Sequence, residues 1–386
     1  MLTCSIPFSP EHAPDFFAQF PAAPAVFLLR GADDSAEPYV SKTAHLRRRL
    51  QRLLAPAESQ SKRLNLRNRV AVIEYSLTGS DFEATLLLYW LLREQFPQSY
   101  QKRLRLRAAP VIRLNLENEY PRAYVTTRVG KLSGKSLYYG PFRSRAVAEK
   151  FLNDSLDQFM MRRCTFDLNP DPSFPGCIYS EMKMCLAPCF KGCTDEAYRA
   201  EVARVQAYLD SGGQSLLGEL EKEREHLSAE LDFEGAAAAH AKVGKIKSIL
   251  SACDEICGRL DRLDAVIVQP SVEEKSVALF RFHQGELTGP LPFPAEIEDD
   301  SISMENRLRA ALEQLVVGGS RSAQRFSEEM AILKRWYFRS HKTGEVFFAN
   351  QEGELPMRRI VRGVTRVYRG EKEPAGPPVE IPPASS

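Results

Sequence analysis

The hydrophobic pattern of this chain changes period several times, and each change marks an element. An apolar run over 25–30 (AVFLLR) predicts a short strand, and a polar loop leads to a second strand at Tyr39–Val40. In LRRRLQRLL, Leu46, Leu50, Leu53 and Leu54 recur at helical spacing, which predicts an amphipathic helix with a basic outer face. VAVIEYSL (70–77) reads as a third strand. DFEATLLLYWLLREQF (81–96) reads as a mostly buried helix, capped by Ser80 or Asp81 and stopped by Pro97. Together these predict a small mixed-sheet domain over 20–107.

Over 108–195, PVIRLNLENEYPRAYVTTRVGKLSGKSLYYGPF alternates in the manner of strands, with turns at Gly130 and Gly134. A helix, SRAVAEKFLNDSLDQFM, and a cysteine-bearing loop follow. Residues 196–252 read as helical throughout, broken at Gly212-Gly213 and again at a D-F-E-G turn signal, which predicts a helical hairpin. Over 253–370 strands return (AVIVQP, SVALFRF) and then helices (ENRLRAALEQLV, QRFSEEMAILKRWYF). The Pro-rich tail 371–386 is expected to be disordered. The fold class is α/β (α+β), multidomain.

Composition supports this reading: 386 residues exceed one ordinary core, and 44 % apolar with 26 % charged residues describe a globular protein. No apolar run reaches the roughly 18 residues of a membrane span, and the N-terminus lacks the basic-then-apolar order of a signal peptide. The expectation is a cytoplasmic protein without a membrane partner, its thiols reduced. Net charge is only +2 but unevenly spread. Nine basic residues between Lys42 and Arg69, Lys62 and Arg63 among them, face one acid, Glu58, whereas seven acids crowd 219–234. Such a basic segment suits phosphates, and a solvated helix face produces the same pattern.

Five of the eight cysteines lie between Cys164 and Cys193. Cys164, Cys177, Cys185 and Cys189 share a Pro-rich loop with little apolar material of its own. Soft thiolates gathered in this way suit an iron–sulfur cluster or zinc, and buried apolar thiols are the structural alternative.

The succession PYVSKTAHLRRRL, EATLLLYWLLREQFP, PVIRLNLENEYPRAYVTTRV, YYGPF, MCLAPC and LDFEGAA resembles the UvrC family of the bacterial UvrABC excinuclease, over roughly 20–290. The resemblance implies a GIY-YIG-like nuclease domain and a cysteine loop holding an iron–sulfur cluster (4Fe–4S, with zinc as the alternative). It further implies a UVR hairpin that binds a UvrB-like subunit and, from 253, part of an RNase H-like domain. The implied function is DNA binding and metal-dependent incision in nucleotide excision repair.

By the same resemblance Tyr39, Lys42 and Arg49 take catalytic positions, with Mg²⁺ or Mn²⁺ as the ion of an active site. Phe27 stands where the first motif carries a tyrosine, Ser41 replaces a glycine, and Leu88 stands where the metal-binding glutamate belongs. A leucine cannot hold Mg²⁺, and Glu83 lies about 140° around the helix from it. The nuclease site is therefore expected to be impaired, and the alternative function is a non-catalytic DNA- and UvrB-binding adaptor. Tyr39 and Arg49 are then either ordinary fold residues or retained phosphate contacts. Lys42, Arg47, Arg48, Arg49 and Arg52 form the expected DNA-binding face. The resemblance makes Cys164, Cys177, Cys185 and Cys189 the metal ligands and leaves Cys193 a bystander. Leu227, Leu231, Phe233, Ala236 and Ala237 form the expected partner face, with a self-contained helical pair as the bland alternative. Asp264, Glu298, Asp299 and Asp300 read as loop residues without the strand context of two-metal catalysis.

Overall fold

The computed structural model describes residues 2–12, 14–33, 36–56, 64–132, 134–296, 302–316 and 322–371. Strands β1 (Cys4–Pro7), β2 (Ala25–Arg30), β3 (Tyr39–Thr43) and β4 (Val72–Leu77) form an antiparallel sheet in the order β1-β4-β2-β3. The sequence reading, begun at residue 20, omits β1, whose four largely exposed residues end at Pro7 and carry no alternation. Helix α1 (Leu46–Leu54) buries all four of its leucines against this sheet, beside Phe27 and Ile73.

Helix α2 (Asp81–Gln95) starts where Ser80 Oγ accepts the Glu83 N–H at 3.1 Å. It is apolar nearly all round and finds cover on two sides. Ala84 and Leu91 meet Val26 of β2. Phe82, Leu86, Tyr89 and Leu92 enter a second core with Phe280, Phe282, Met330 and Trp336. The stretches 20–107 and 253–370 thus share one hydrophobic core.

After the short α3 (Tyr100–Leu104), β5 (Val111–Asn115), β6 (Arg122–Thr126) and β7 (Leu137–Gly140) build the second sheet, with α4 (Arg145–Leu156) packed on it. The cysteine loop holds one helical turn, α5 (Ile178–Glu181). Next come α6 (Asp195–Asp210), α7 (Gln214–Ala229) and α8 (Phe233–Leu250), the last two paired as the expected hairpin. Gly213 lies in the left-handed region at φ +88°, where a side chain is strained, and a Cβ there would press 2.5 Å from the Leu250 side chain. The chain then returns through β8 (Gly258–Arg259), completing the order β6-β5-β7-β8.

The third sheet is antiparallel: β9 (Asp264–Pro270), β10 (Ser276–His283), β11 (Glu286–Pro294) and β12 (Glu345–Phe348), in the order β11-β10-β9-β12. Helix α9 (Met304–Gln314) and helix α11 (Met357–Arg369) cover one face, meeting Val266 and Val268. Helix α10 (Ala323–Tyr337) covers the other with α2, meeting Ala265 and Ile267. A strand buried on both faces explains the unbroken apolar run AVIV.

The expectation that Asp264 lies in a loop is corrected: it opens β9 at the middle of the sheet and is buried. Its carboxylate accepts from Arg281 (Nε 3.1 Å, Nη2 2.8 Å) and lies 2.9 Å from His283 Nδ1. Strand alternation requires a partner for an acid buried there, and Arg281 supplies it. Glu298, Asp299, Asp300 and the tail 372–386 lie outside the described residues. No described helix is long and apolar enough to cross a membrane.

Candidate functional site

Tyr39 and Lys42 are three residues apart on β3, so they point to opposite faces of the sheet. On the α1 side, Arg49 Nη2 donates to Tyr39 Oη at 2.9 Å. Phe27 is wholly buried on this side, its ring 6.1 Å from that of Tyr39. On the α2 side, Lys42 Nζ donates to Asp81 Oδ1 at 2.5 Å and to Thr85 Oγ1 at 2.7 Å, and Arg339 pairs with the other oxygen of Asp81. Burial pushes the Lys42 ammonium below its ordinary value while Asp81 opposes. Two of the three catalytic candidates therefore meet, and Lys42 belongs to an ion cluster on the opposite face.

Leu88 is half-buried and packs against the cores on both sides of α2. Glu83 is committed to capping: its carboxylate accepts the Gly79 N–H at 2.8 Å, and burial raises its pKa against that bond. The basic face of α1 divides in the same way. Arg47 Nε donates to the Phe20 carbonyl at 2.7 Å and Arg49 holds Tyr39, which leaves Arg48 and Arg52 extended into solvent. Lys62, Arg63 and Glu58 lie outside the described residues.

The cysteine loop folds back on itself through left-handed residues at Lys183, Ala187 and Lys191. Cys177 caps α5, the Cys185 sulfur accepts the Ala187 N–H at 3.3 Å, and the Cys189 carbonyl accepts the Asp171 N–H at 2.8 Å. Burial pushes the Cys185 thiol up to about 11 against the pull of the Ala187 N–H, and the charges of Cys164, Cys189 and Cys177 add to the rise. Among the described residues, no three His, Cys, Asp or Glu side chains are disposed to hold a metal ion. Cys193 sits at the edge of the core beside them.

Arg162, which sequence reasoning missed, lies beneath this loop and is 1 % exposed. Its Nε donates to the Tyr120 carbonyl (2.9 Å), and its Nη1 to Cys164 Sγ (3.2 Å) and the Phe166 carbonyl (3.0 Å). Nη2 is buried without a hydrogen-bond partner, and among the described residues no carboxylate pairs with the guanidinium. The available signal was the triplet RRC, a cation two residues before the first thiol.

At the hairpin tip Leu231 is held at φ +64°, and the Asp232 carboxylate accepts the Gly235 N–H at 2.9 Å to start α8. Leu231 and Phe233 are 72 % and 68 % exposed, Ala237 is exposed, and Leu227 and Ala236 are half-buried. Two large apolar side chains on one tip are an unusual surface for a self-contained helical pair.

Residues 109–208 match the family model for the UvrC/Cho excinuclease middle domain. Relatives include the UvrABC system protein C of Methanothermobacter thermautotrophicus, 27 % identical over 273 residues, or 70 % of this chain and 45 % of the relative. The Rickettsia felis protein is 27 % identical over 68 % of this chain and 40 % of its own length. The chain is UvrC-like. A third UvrABC system protein C, from Clostridium tetani, is 23 % identical over 72 % of this chain. This UvrC-like chain spans less than half the length of these relatives, and no solved structure matches it.

Proposed function

We propose that this UvrC-like chain acts in nucleotide excision repair as a DNA- and partner-binding protein that does not cut through its N-terminal, GIY-YIG-like unit. The observation that carries the reading is the packing of Phe27 and Leu88. The first is sealed in a core without a hydroxyl, and the second fills space between two cores without a carboxylate. Phosphodiester hydrolysis of this type requires a proton acceptor and a metal-held charge at those places, and these residues do not fit Mg²⁺ or Mn²⁺. Tyr39–Arg49 and the exposed Arg48 and Arg52 remain suited to phosphate contact.

For the cysteine loop the reading takes an iron–sulfur cluster, with zinc as the alternative, from the chemistry of its thiols and the resemblance, not from their present arrangement. Cys164, Cys177, Cys185 and Cys189 would hold it, and the unpaired guanidinium edge of Arg162 would offset the charge of a thiolate-ligated group. When bound, it would tie a Pro-rich loop to the core. The exposed Leu231 and Phe233 would dock on an apolar hairpin of a UvrB-like subunit.

The test is incubation of the purified chain with Mg²⁺ or Mn²⁺ and nicked or lesion-bearing duplex DNA. Binding without incision is expected. Incision abolished by Arg49→Ala would overturn the reading.

A further inference from the structure

Helix α11 carries a strongly charged surface that none of the sites above uses. In MRRIVRGVTRVYR five arginines occur with no acid. Its apolar stripe is already used: Met357, Ile360, Val364 and Val367 are buried against the third sheet, and at Gly363 a Cβ would stand 2.2 Å from the Phe347 ring. What faces outward is cationic. Arg366 is tied to Glu345 through bonds of 2.8 and 2.5 Å. Arg369 makes one loose contact, 3.9 Å from Glu371. Arg358 and Arg362 are exposed and, among the described residues, have no hydrogen-bond or ion-pair partner.

We propose that Arg358, Arg362 and Arg369 form a contact surface for the backbone of duplex DNA. Spaced four and seven residues apart, they run along about 16 Å of one helix face, which spans roughly five phosphate steps of one strand. Arginine's planar fork matches phosphate oxygens. A lipid surface is the poorer fit, because a helix that binds membranes needs its apolar side free and this one has none. A single-stranded ligand is the poorer fit as well, because Tyr368, the one aromatic of the helix, packs against the core of the third sheet and leaves no stacking platform. The surface is independent of α1, so it stands whether or not α1 touches DNA.

The test is fluorescence anisotropy of the full chain with a 30-base-pair duplex over a salt series, comparing wild type with Arg358→Gln/Arg362→Gln/Arg369→Gln. The variant should bind at least tenfold more weakly, and its log–log salt slope should fall by about 2.7, at about 0.9 per lost contact. A thermal melt checks that the variant folds. If it does not, the single changes Arg358→Gln and Arg362→Gln should each lower the slope by about 0.9. An unchanged slope and affinity would overturn the proposal. So would an effect confined to binding of anionic vesicles or of poly-glutamate. Arg48→Gln/Arg52→Gln tests α1 separately: if that variant alone weakens binding, the α11 surface falls and the reading of the chain as DNA-binding survives.

Discussion

The buried carboxylate of Glu328 on α10 gathers donors from α2, α3 and its own helix, which makes it a sharp place to perturb the fold. Glu328 Oε1 accepts from Tyr100 Oη (2.7 Å), Gln101 Nε2 (2.6 Å) and Gln324 Nε2 (3.1 Å), and Oε2 accepts from Tyr89 Oη at 2.8 Å. Burial opposes its ionisation, but the donors led by Tyr100 outweigh burial and hold the carboxyl below its ordinary 4.5. Glu328→Gln keeps the shape and one acceptor. The new amide would face Tyr89, whose oxygen already receives Arg93 Nη1 at 3.3 Å, so the Tyr89 proton loses its acceptor. One orphaned buried donor and three bonds weakened by loss of charge give a destabilisation of about 2–3 kcal/mol at neutral pH. Glu328→Ala, which strands both tyrosines, should cost about 4 kcal/mol. A depressed carboxylate contributes stability that is complete above its unfolded pKa and lost as pH falls through its folded one. The gap between wild type and Glu328→Gln in urea denaturation should therefore be full above about pH 5 and close as the pH drops below the ordinary 4.5. A gap below about 0.5 kcal/mol at pH 7, or one that widens in acid, would refute the reasoning.

Anaerobically purified protein should show sulfide-to-iron absorbance that is lost in Cys185→Ser; a colourless protein holding stoichiometric zinc would decide for the other metal. Arg162→Met should leave the four thiols in place yet raise the rate at which the metal is lost to chelator severalfold. Leu231→Gly should stabilise the hairpin by roughly 0.5–1 kcal/mol in thermal melts, because glycine accepts φ +64°, while weakening capture of a UvrB-like subunit. Phe27→Tyr should lower stability by about 1–3 kcal/mol in urea titration, because its hydroxyl enters a fully buried site.

Where local pattern decides structure, the sequence was readable. The leucine spacing of α1, the Ser80 cap, the Gly212-Gly213 break and the strand at AVIVQP all appear as expected. What local pattern does not decide was missed. β1 is a strand only because β4 pairs with it, and α11 mixes β-branched residues with Gly363 because Phe347 needs the room. The clustering of the cysteines was legible, but Arg162 beneath them was not, because its burial depends on Tyr120 and Phe166. Lys42 looked catalytic from its motif. Its partner Asp81 lies 39 residues away, and Arg339, which shares that carboxylate, lies 258 residues beyond Asp81, so no window of sequence connects them.

Helix α2 has no free side, since β2 claims one flank and β10 with α10 the other. A gene truncated after residue 107 would expose Phe82, Leu86, Tyr89 and Leu92 together, and the fragment would aggregate rather than fold as a portable module. For the same reason the two sheets that flank α2 cannot hinge apart without tearing it from one of them. Residues from 82–104 and from 256–348 therefore stand or fall together as one cooperative unit.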